Sequence, residues 1–167
     1  MIRAATPADA DAIAKVQVRA WTRAYADLLP PDAAGPDAVE ARERWRANLE
    51  EGRATRRTTL VYELEGRIVG YTSVGPARDD DARPDVGELM AVYVDPVAQG
   101  AGVGRALMDA AEARLREEGR AEAVLWVFAE NGLARDFYAR RGWVLEPEAV
   151  NARLDRWAPA VRYRLTL

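Results

Sequence analysis

Residues 87–109 read GELMAVYVDPVAQGAGVGRALMD. The stretch starts as an apolar strand, turns at Asp95-Pro96, passes glycines at alternate positions (Gly100, Gly102, Gly104) and continues as a helix. A strand that ends in a glycine loop opening a helix turns several backbone N–H groups toward one point, where the helix dipole adds partial positive charge. Such a junction suits phosphate, so Gln99–Gly104 is expected to hold a phosphorylated ligand.

The pattern extends outward from this unit in both directions. Met1–Ala5 reads as a first strand. Thr6-Pro7-Ala8-Asp9 reads as a helix start, with Thr6 as N-cap and proline at the first helical position. Ile13, Val16, Ala20, Trp21 and Ala24 then recur at helical spacing. A second helix is expected over about 36–51, with Val39, Trp45 and Leu49 as its apolar face and Gly52 at its end. Thr58–Leu64 and Arg67–Val74 are β-rich runs joined by Glu65-Gly66, a hairpin signal. Residues 75–85, with three consecutive aspartates, read as a solvated loop. After the strand at Val86–Val94 and a helix at about 102–118, Ala123–Phe128 reads as a strand and Asn131–Arg141 as a helix ended by Gly142. Trp143–Glu146 and Ala160–Leu167 read as two final strands. The order β-α-α-β-β-β-α-β-α-β-β describes a mixed α/β sheet with helical crossovers. No repeat, low-complexity tract or interdomain linker is visible, so 1–167 is expected to be one domain.

Composition narrows the chemistry. The chain has 167 residues, 49% hydrophobic and 31% charged, with net charge −3. That length allows one substantial core, and that charge argues against a broadly basic nucleic-acid surface. The absence of cysteine and histidine removes disulfides, thiolate metal sites, a cysteine nucleophile and the commonest general base. Acid–base work must fall to Asp, Glu, Tyr, Lys, a terminus or water, and no metal is expected. No run approaches eighteen apolar residues and the N-terminus lacks an apolar signal core, so a cytoplasmic location with no membrane partner is expected.

The glycine spacing separates the candidate ligands. A P-loop requires G-x-x-x-x-G-K-[ST], but neither Gly100 nor Gly102 heads such a run and no lysine is near. The dinucleotide fingerprint is G-x-G-x-x-G, whereas this loop runs G-x-G-x-G and lies past the middle of the chain. A glycine-rich turn that merely lets strand and helix pack closely is the plainer alternative. Gln99-Gly100-Ala101-Gly102-Val103-Gly104 does fit [QR]-x-x-G-x-[GA]. Placed after Val92-Tyr93-Val94-Asp95-Pro96, it resembles the acetyl-CoA-binding motif of the GNAT family of N-acetyltransferases. Asn131, Ala134, Phe137, Tyr138 and Gly142-Trp143 match the family's second signature, N-x-x-A-x-x-F-Y-x-x-x-G-[FW]. The element order also agrees, so the resemblance spans essentially the whole chain.

The resemblance implies a mostly antiparallel sheet of six to seven strands flanked by about four helices. It also implies an enzyme that moves the acetyl group of acetyl-CoA directly to a primary amine of a small molecule or peptide, in a ternary complex. The backbone of Val92 and Val94 would then pair with the pantetheine arm beside a strand bulge, and Tyr93 between them counts among the cofactor-binding residues. The pyrophosphate would sit on the N–H groups of Gly100, Gly102, Val103, Gly104 and Arg105, with Gln99 and Ala101 as further cofactor-binding residues of the motif. Asn131 reads as a helix cap, a cofactor contact or both, and Phe137 and Trp143 as core. An amine with a pKa near ~10.4 must lose a proton before attack. Glu88 is the candidate base, directly or through water, or else a strand-end surface carboxylate. Tyr138 is the candidate acid for the departing thiolate, or else a half-buried helix residue. Trp21, Tyr25 and Trp126 are candidate walls for the acceptor, with the Leu28-Leu29-Pro30-Pro31 turn nearby; each aromatic residue also reads as core. The alternative function is a non-catalytic acyl-CoA-binding sensor or regulatory module. A homodimer accords with the family, although no stripe in the sequence specifies one.

Overall fold

The computed structural model describes residues 1–26, 35–52, 54–147, 149 and 158–167, so the Leu28-Leu29-Pro30-Pro31 turn lies outside the described residues. β1 (Ile2–Ala4) leads through a 3-10 turn at Pro7–Asp9 into α1 (Ala10–Tyr25) and then α2 (Ala38–Glu51). β2 (Thr58–Leu64) and β3 (Arg67–Pro76) form a hairpin. Both of its turn residues, Glu65 and Gly66, take positive φ (50° and 72°), matching a tight hairpin turn. β4 (Val86–Val94), α3 (Val103–Glu117), β5 (Glu122–Phe128), α4 (Gly132–Arg140), β6 (Val144–Glu146) and β7 (Ala160–Thr166) complete the chain.

The strands form one seven-stranded sheet in the order β1-β2-β3-β4-β5-β7-β6. Every neighbouring pair is antiparallel except β4 and β5, which run parallel. A parallel pair needs a long crossover, and α3 supplies it.

Each face of the sheet carries its own core. On one face Ile13, Val16, Ala41 and Trp45 from α1 and α2 pack on Val61 and Tyr71. On the other, Met108, Ala111 and Leu115 of α3, with Tyr138 and Trp143, cover Leu89, Leu125 and Val127, while Leu107 packs with Val69, Ala98 and Val103. The Trp45 indole N–H donates to Gln17 Oε1 at 2.8 Å, joining α2 to α1.

The structure differs from the expectations in three places. Thr6 and Asp9 bond reciprocally, with the Thr6 amide donating to Asp9 Oδ2 at 2.8 Å, but they close a 3-10 turn; the α-helix starts at Ala10. Val39 is 56% exposed, and Ala41 takes the core position beside Trp45: Ala41, Trp45 and Leu49 recur at intervals of four on one face, whereas Val39, six residues before Trp45, falls off that stripe. The aspartate loop is not merely solvated. Asp79 and Asp81 bind the buried Arg162, which also reaches Glu146. A guanidinium taken from water needs such partners.

Candidate active site

β4 and β5 pair only over Val86–Leu89 and Glu122–Leu125. The register between β3 and β4 slips at the same level, Val74 facing Leu89 and Ser73 facing Ala91, so Met90 is the bulged residue. Past it the two strands part, because the extra residue bends β4 away. The parting opens a cavity of about 810 Å³ that runs from the glycine loop past β4 to α4.

The loop builds one end. Asp95 is 2% exposed and caps the 3-10 turn at Pro96–Ala98 through the Val97 amide. Arg19 of α1 binds the same carboxylate, its Nε donating at 3.0 Å, so the loop entry is tied to the first helix. Gly100 and Gly102 have φ of +81° and +79°, which a side chain would strain. Gly104 differs, since a Cβ there would meet only Val94 at 3.6 Å and Phe137 at 4.0 Å. The protein itself leaves that space open, toward the cavity. Gln99, Gly100, Gly102, Gly104 and Arg105 line the cavity. Ala101 does not, and the Val103 side chain is buried with Val69, Ala98 and Leu107, which leaves only its backbone for a ligand. The first N–H groups of α3 have no partner within the helix. Arg105 is exposed, with no ion-pair partner among the described residues.

The other end is aromatic. Val92, Tyr93, Val94, Asn131, Phe137 and Tyr138 line it, together with Tyr25 and Trp126. Asn131 caps α4, its Oδ1 accepting the Ala134 N–H at 3.2 Å. Tyr138 is 9% exposed; burial first, and then Tyr25 nearby, pushes its phenol well above the usual range. Phe137 packs against the core and also faces the cavity, while Trp143 is core.

Glu88 stands apart from this group. Its side chain is 3% exposed and is not among the cavity walls. Arg78 occupies both oxygens, Nε donating to Oε2 at 2.9 Å and Nη2 to Oε1, while the Arg78 amide adds a third bond at 3.1 Å. Trp21 is also not a cavity wall; it meets the Tyr25 ring edge-on at 5.3 Å. Trp126 is a wall held rigidly from behind, its indole N–H donating to Asp79 at 3.1 Å and its ring facing Arg162 at 5.6 Å.

Arg23, Met90 and Leu133 also face the cavity, unforeseen in the sequence. Leu133 offered one local signal, a large apolar residue just inside a helix start; it is 87% exposed. Arg23 carried none, because an arginine on an amphipathic helix usually only meets solvent.

The sequence profile of the Acetyltransferase (GNAT) family matches residues 18–143. The probable N-acetyltransferase Rv2775 of Mycobacterium tuberculosis is 28% identical over 161 residues, covering 95% of this chain and 84% of that protein. The crystal structure of a ribosomal-protein-alanine N-acetyltransferase from Brucella melitensis superposes with TM-score 0.76 at 28% identity, covering 100% of this chain and 99% of that one. The PaiA N-acetyltransferase of Thermoplasma acidophilum, solved with coenzyme A, shares the fold at TM-score 0.79 and 16% identity, covering 100% of this chain and 98% of that one.

Proposed function

Because the chain belongs to the acetyltransferase (GNAT) family, we propose that it transfers the acetyl group of acetyl-CoA directly to a primary amine of a small molecule or peptide, within a ternary complex. One observation carries the reading: a single cavity joins an anion-suited glycine loop to a buried phenol through a gap between two parallel strands. Residues 1–167 act as one N-acetyltransferase domain, a reading supported by the one sheet that runs from Ile2 to Thr166.

The loop and the first turn of α3 direct N–H groups at the pyrophosphate, and Arg105 adds charge. Past the end of the β4–β5 ladder, the backbone groups of Val92 and Val94 face the seam and are offered to the pantetheine arm, as a sheet edge offers them to an added strand, while those of Tyr93 turn to β3. The bulge at Met90 then lies where the thioester would end. The amine nitrogen attacks the acetyl carbon, the carbonyl π pair moves to oxygen, and collapse breaks the C–S bond. Tyr138 gives its proton to the departing sulfur, a role suited to a phenol that burial keeps protonated. Direct transfer fits the lack of cysteine, the thiol that would carry an acetyl-enzyme.

Glu88 needs a different reading from a free base. With both oxygens on Arg78, it holds the residue 77–85 loop against the acceptor side of the sheet, and the amine proton leaves to water. Initial rates of thiol release from acetyl-CoA with a panel of amines test the proposal. Turnover with at least one amine supports it; binding of acetyl-CoA without turnover on any amine sinks it and favours a sensor.

A further inference from the structure

The cavity crosses the sheet through the gap between β4 and β5, and its two sides are charged differently. Ala20, Arg23 and Ala24 line it from α1, whereas Gly104, Arg105 and Tyr138 line it from α3 and α4. α1 packs on one face of the sheet, α3 and α4 on the other. On the acetyltransferase reading above, on which this inference rests, the phosphates of the acyl donor sit at the start of α3. The amine then meets the thioester from the α1 face. Tyr25 and Trp126 wall that side, with the Tyr25 ring edge-on to Phe128 at 5.2 Å.

The acids around the gap on the α1 face are already committed. Glu88 and Trp126 alternate with Leu89, Leu125 and Val127 of the α3-side core, so both point to the α1 face. Arg78 takes both oxygens of Glu88, Arg162 holds Asp79 and Asp81 behind Trp126, and Arg19 holds Asp95. Among the described residues lining the cavity, Glu130 is the only carboxylate. It precedes the Asn131 cap, where the amino end of α4 favours negative charge. Arg23 has no such commitment: it is exposed, and no hydrogen bond or ion pair ties its guanidinium to any described residue. Ala20 and Ala24 share its side of the helix and present only methyl groups. The Arg19–Asp95 pair, one turn earlier, fixes this stretch of α1 against the end of β4. We propose that Arg23 reads the acceptor: the amine this chain acetylates also carries a carboxylate, which the Arg23 guanidinium binds while the amino group points through the gap to the thioester. The planar fork of an arginine matches the two oxygens of a carboxylate. A diamine would find no uncommitted acid on this side, only the like charge of Arg23.

Matched acids and amides on the full chain test the proposal. Phenylalanine and 4-(aminomethyl)benzoate, each beside its carboxamide, are assayed by thiol release, with rates referred to the unprotonated amine. The wild type is expected to favour at least one acid by about tenfold to a hundredfold in kcat/KM, the range an ion-paired hydrogen bond allows, carried mainly by KM. Arg23→Gln should erase that preference with the KM for acetyl-CoA unchanged, and Arg23→Lys should restore part of it. A wild type that prefers neither acid, or an Arg23→Gln that keeps the preference, overturns the proposal. A raised KM for acetyl-CoA with the acid preference intact assigns Arg23 to the donor's phosphates and also overturns it. A lower thermal midpoint as the only change makes Arg23 a partner of the α1 dipole and overturns it too. Calorimetry of N-acetylphenylalanine and its amide on protein loaded with coenzyme A reads the same contact without turnover. The acid should bind more tightly than the amide, and equal affinities overturn the proposal. Wild-type protein that turns over no amine refutes the earlier reading; one that turns over acids and amides alike refutes this one alone.

Discussion

Arg78 clasps Glu88 in a two-pronged ion pair, Nε on one carboxylate oxygen and Nη2 on the other, with the Glu88 side chain 3% exposed. A buried pair of this kind resists losing one partner more than it stabilises as a pair. Glu88→Gln should therefore cost about 1–3 kcal/mol, seen as a lower thermal midpoint. If the pair holds a loop, kcat/KM in thiol release falls less than tenfold. A fall of about a hundredfold or more, with loss of the acid limb of the pH profile, would restore Glu88 as the base.

Tyr138→Phe should lower kcat on the order of a hundredfold while acetyl-CoA affinity, read by calorimetry, stays within a factor of two or so. An unchanged kcat removes Tyr138 from the mechanism. As the proposed acid the group would act in its protonated form, and burial raises its pKa above the ordinary phenol value near ~10. In the wild type, kcat should then show no alkaline fall from Tyr138 below pH ~10. An alkaline limb near pH 8 that disappears in Tyr138→Phe would contradict this.

The glycines of the loop should fail differently. Gly102→Ala forces a side chain to φ +79° and should cost about 1–2 kcal/mol of stability. Gly104 sits in the first turn of α3 with only Val94 and Phe137 nearby. Gly104→Ala should leave stability level or raise it by up to about 1 kcal/mol, yet weaken acetyl-CoA binding, since the methyl occupies room left for the ligand. Thermal melts and calorimetric titrations check both; equal affinity in Gly104→Ala would show that the room is not used.

Asp9 reports acid stability. The Arg3 guanidinium, bonded at 2.8 Å, lowers the Asp9 pKa from 3.8 to about 2. A depressed carboxyl contributes stability that is present above the unfolded value and lost as pH falls through the folded one. Arg3→Leu should lower stability by about 1 kcal/mol at pH 7, and the difference should vanish as pH falls from about 4 toward 2. A gap that persists undiminished at pH 2 would assign the loss to packing.

Local chemistry explains which features were legible in the sequence. β2 and β4 lie where the pattern set them, because each is bounded by turn residues whose φ preferences act within a few positions. Gly100, Gly102, Gly104, Asn131 and Tyr138 line one cavity, and each had been marked by spacing along a single segment. The Glu88–Arg78 clasp was not, since it joins a strand to a loop with no periodic signal. The reach of Tyr25 to Phe128 and the grip of Asp79 and Asp81 on Arg162 are tertiary contacts, formed only once the sheet has its order. Val39 misled because it is apolar and near the helix start, although the i, i+4 stripe through Trp45 passes through Ala41 instead.

The parting of β4 and β5 also has a cost away from catalysis. Sheets normally keep their unpaired backbone at the margins, where charge or short length protects it. Here an open seam lies in the middle of the molecule, apolar on both banks, and any stray extended peptide that fits it is a competitor for the substrate. On the proposed reading the acyl donor fills that seam as a missing strand would, so the loaded protein should be the form that best withstands crowding, heat and self-association.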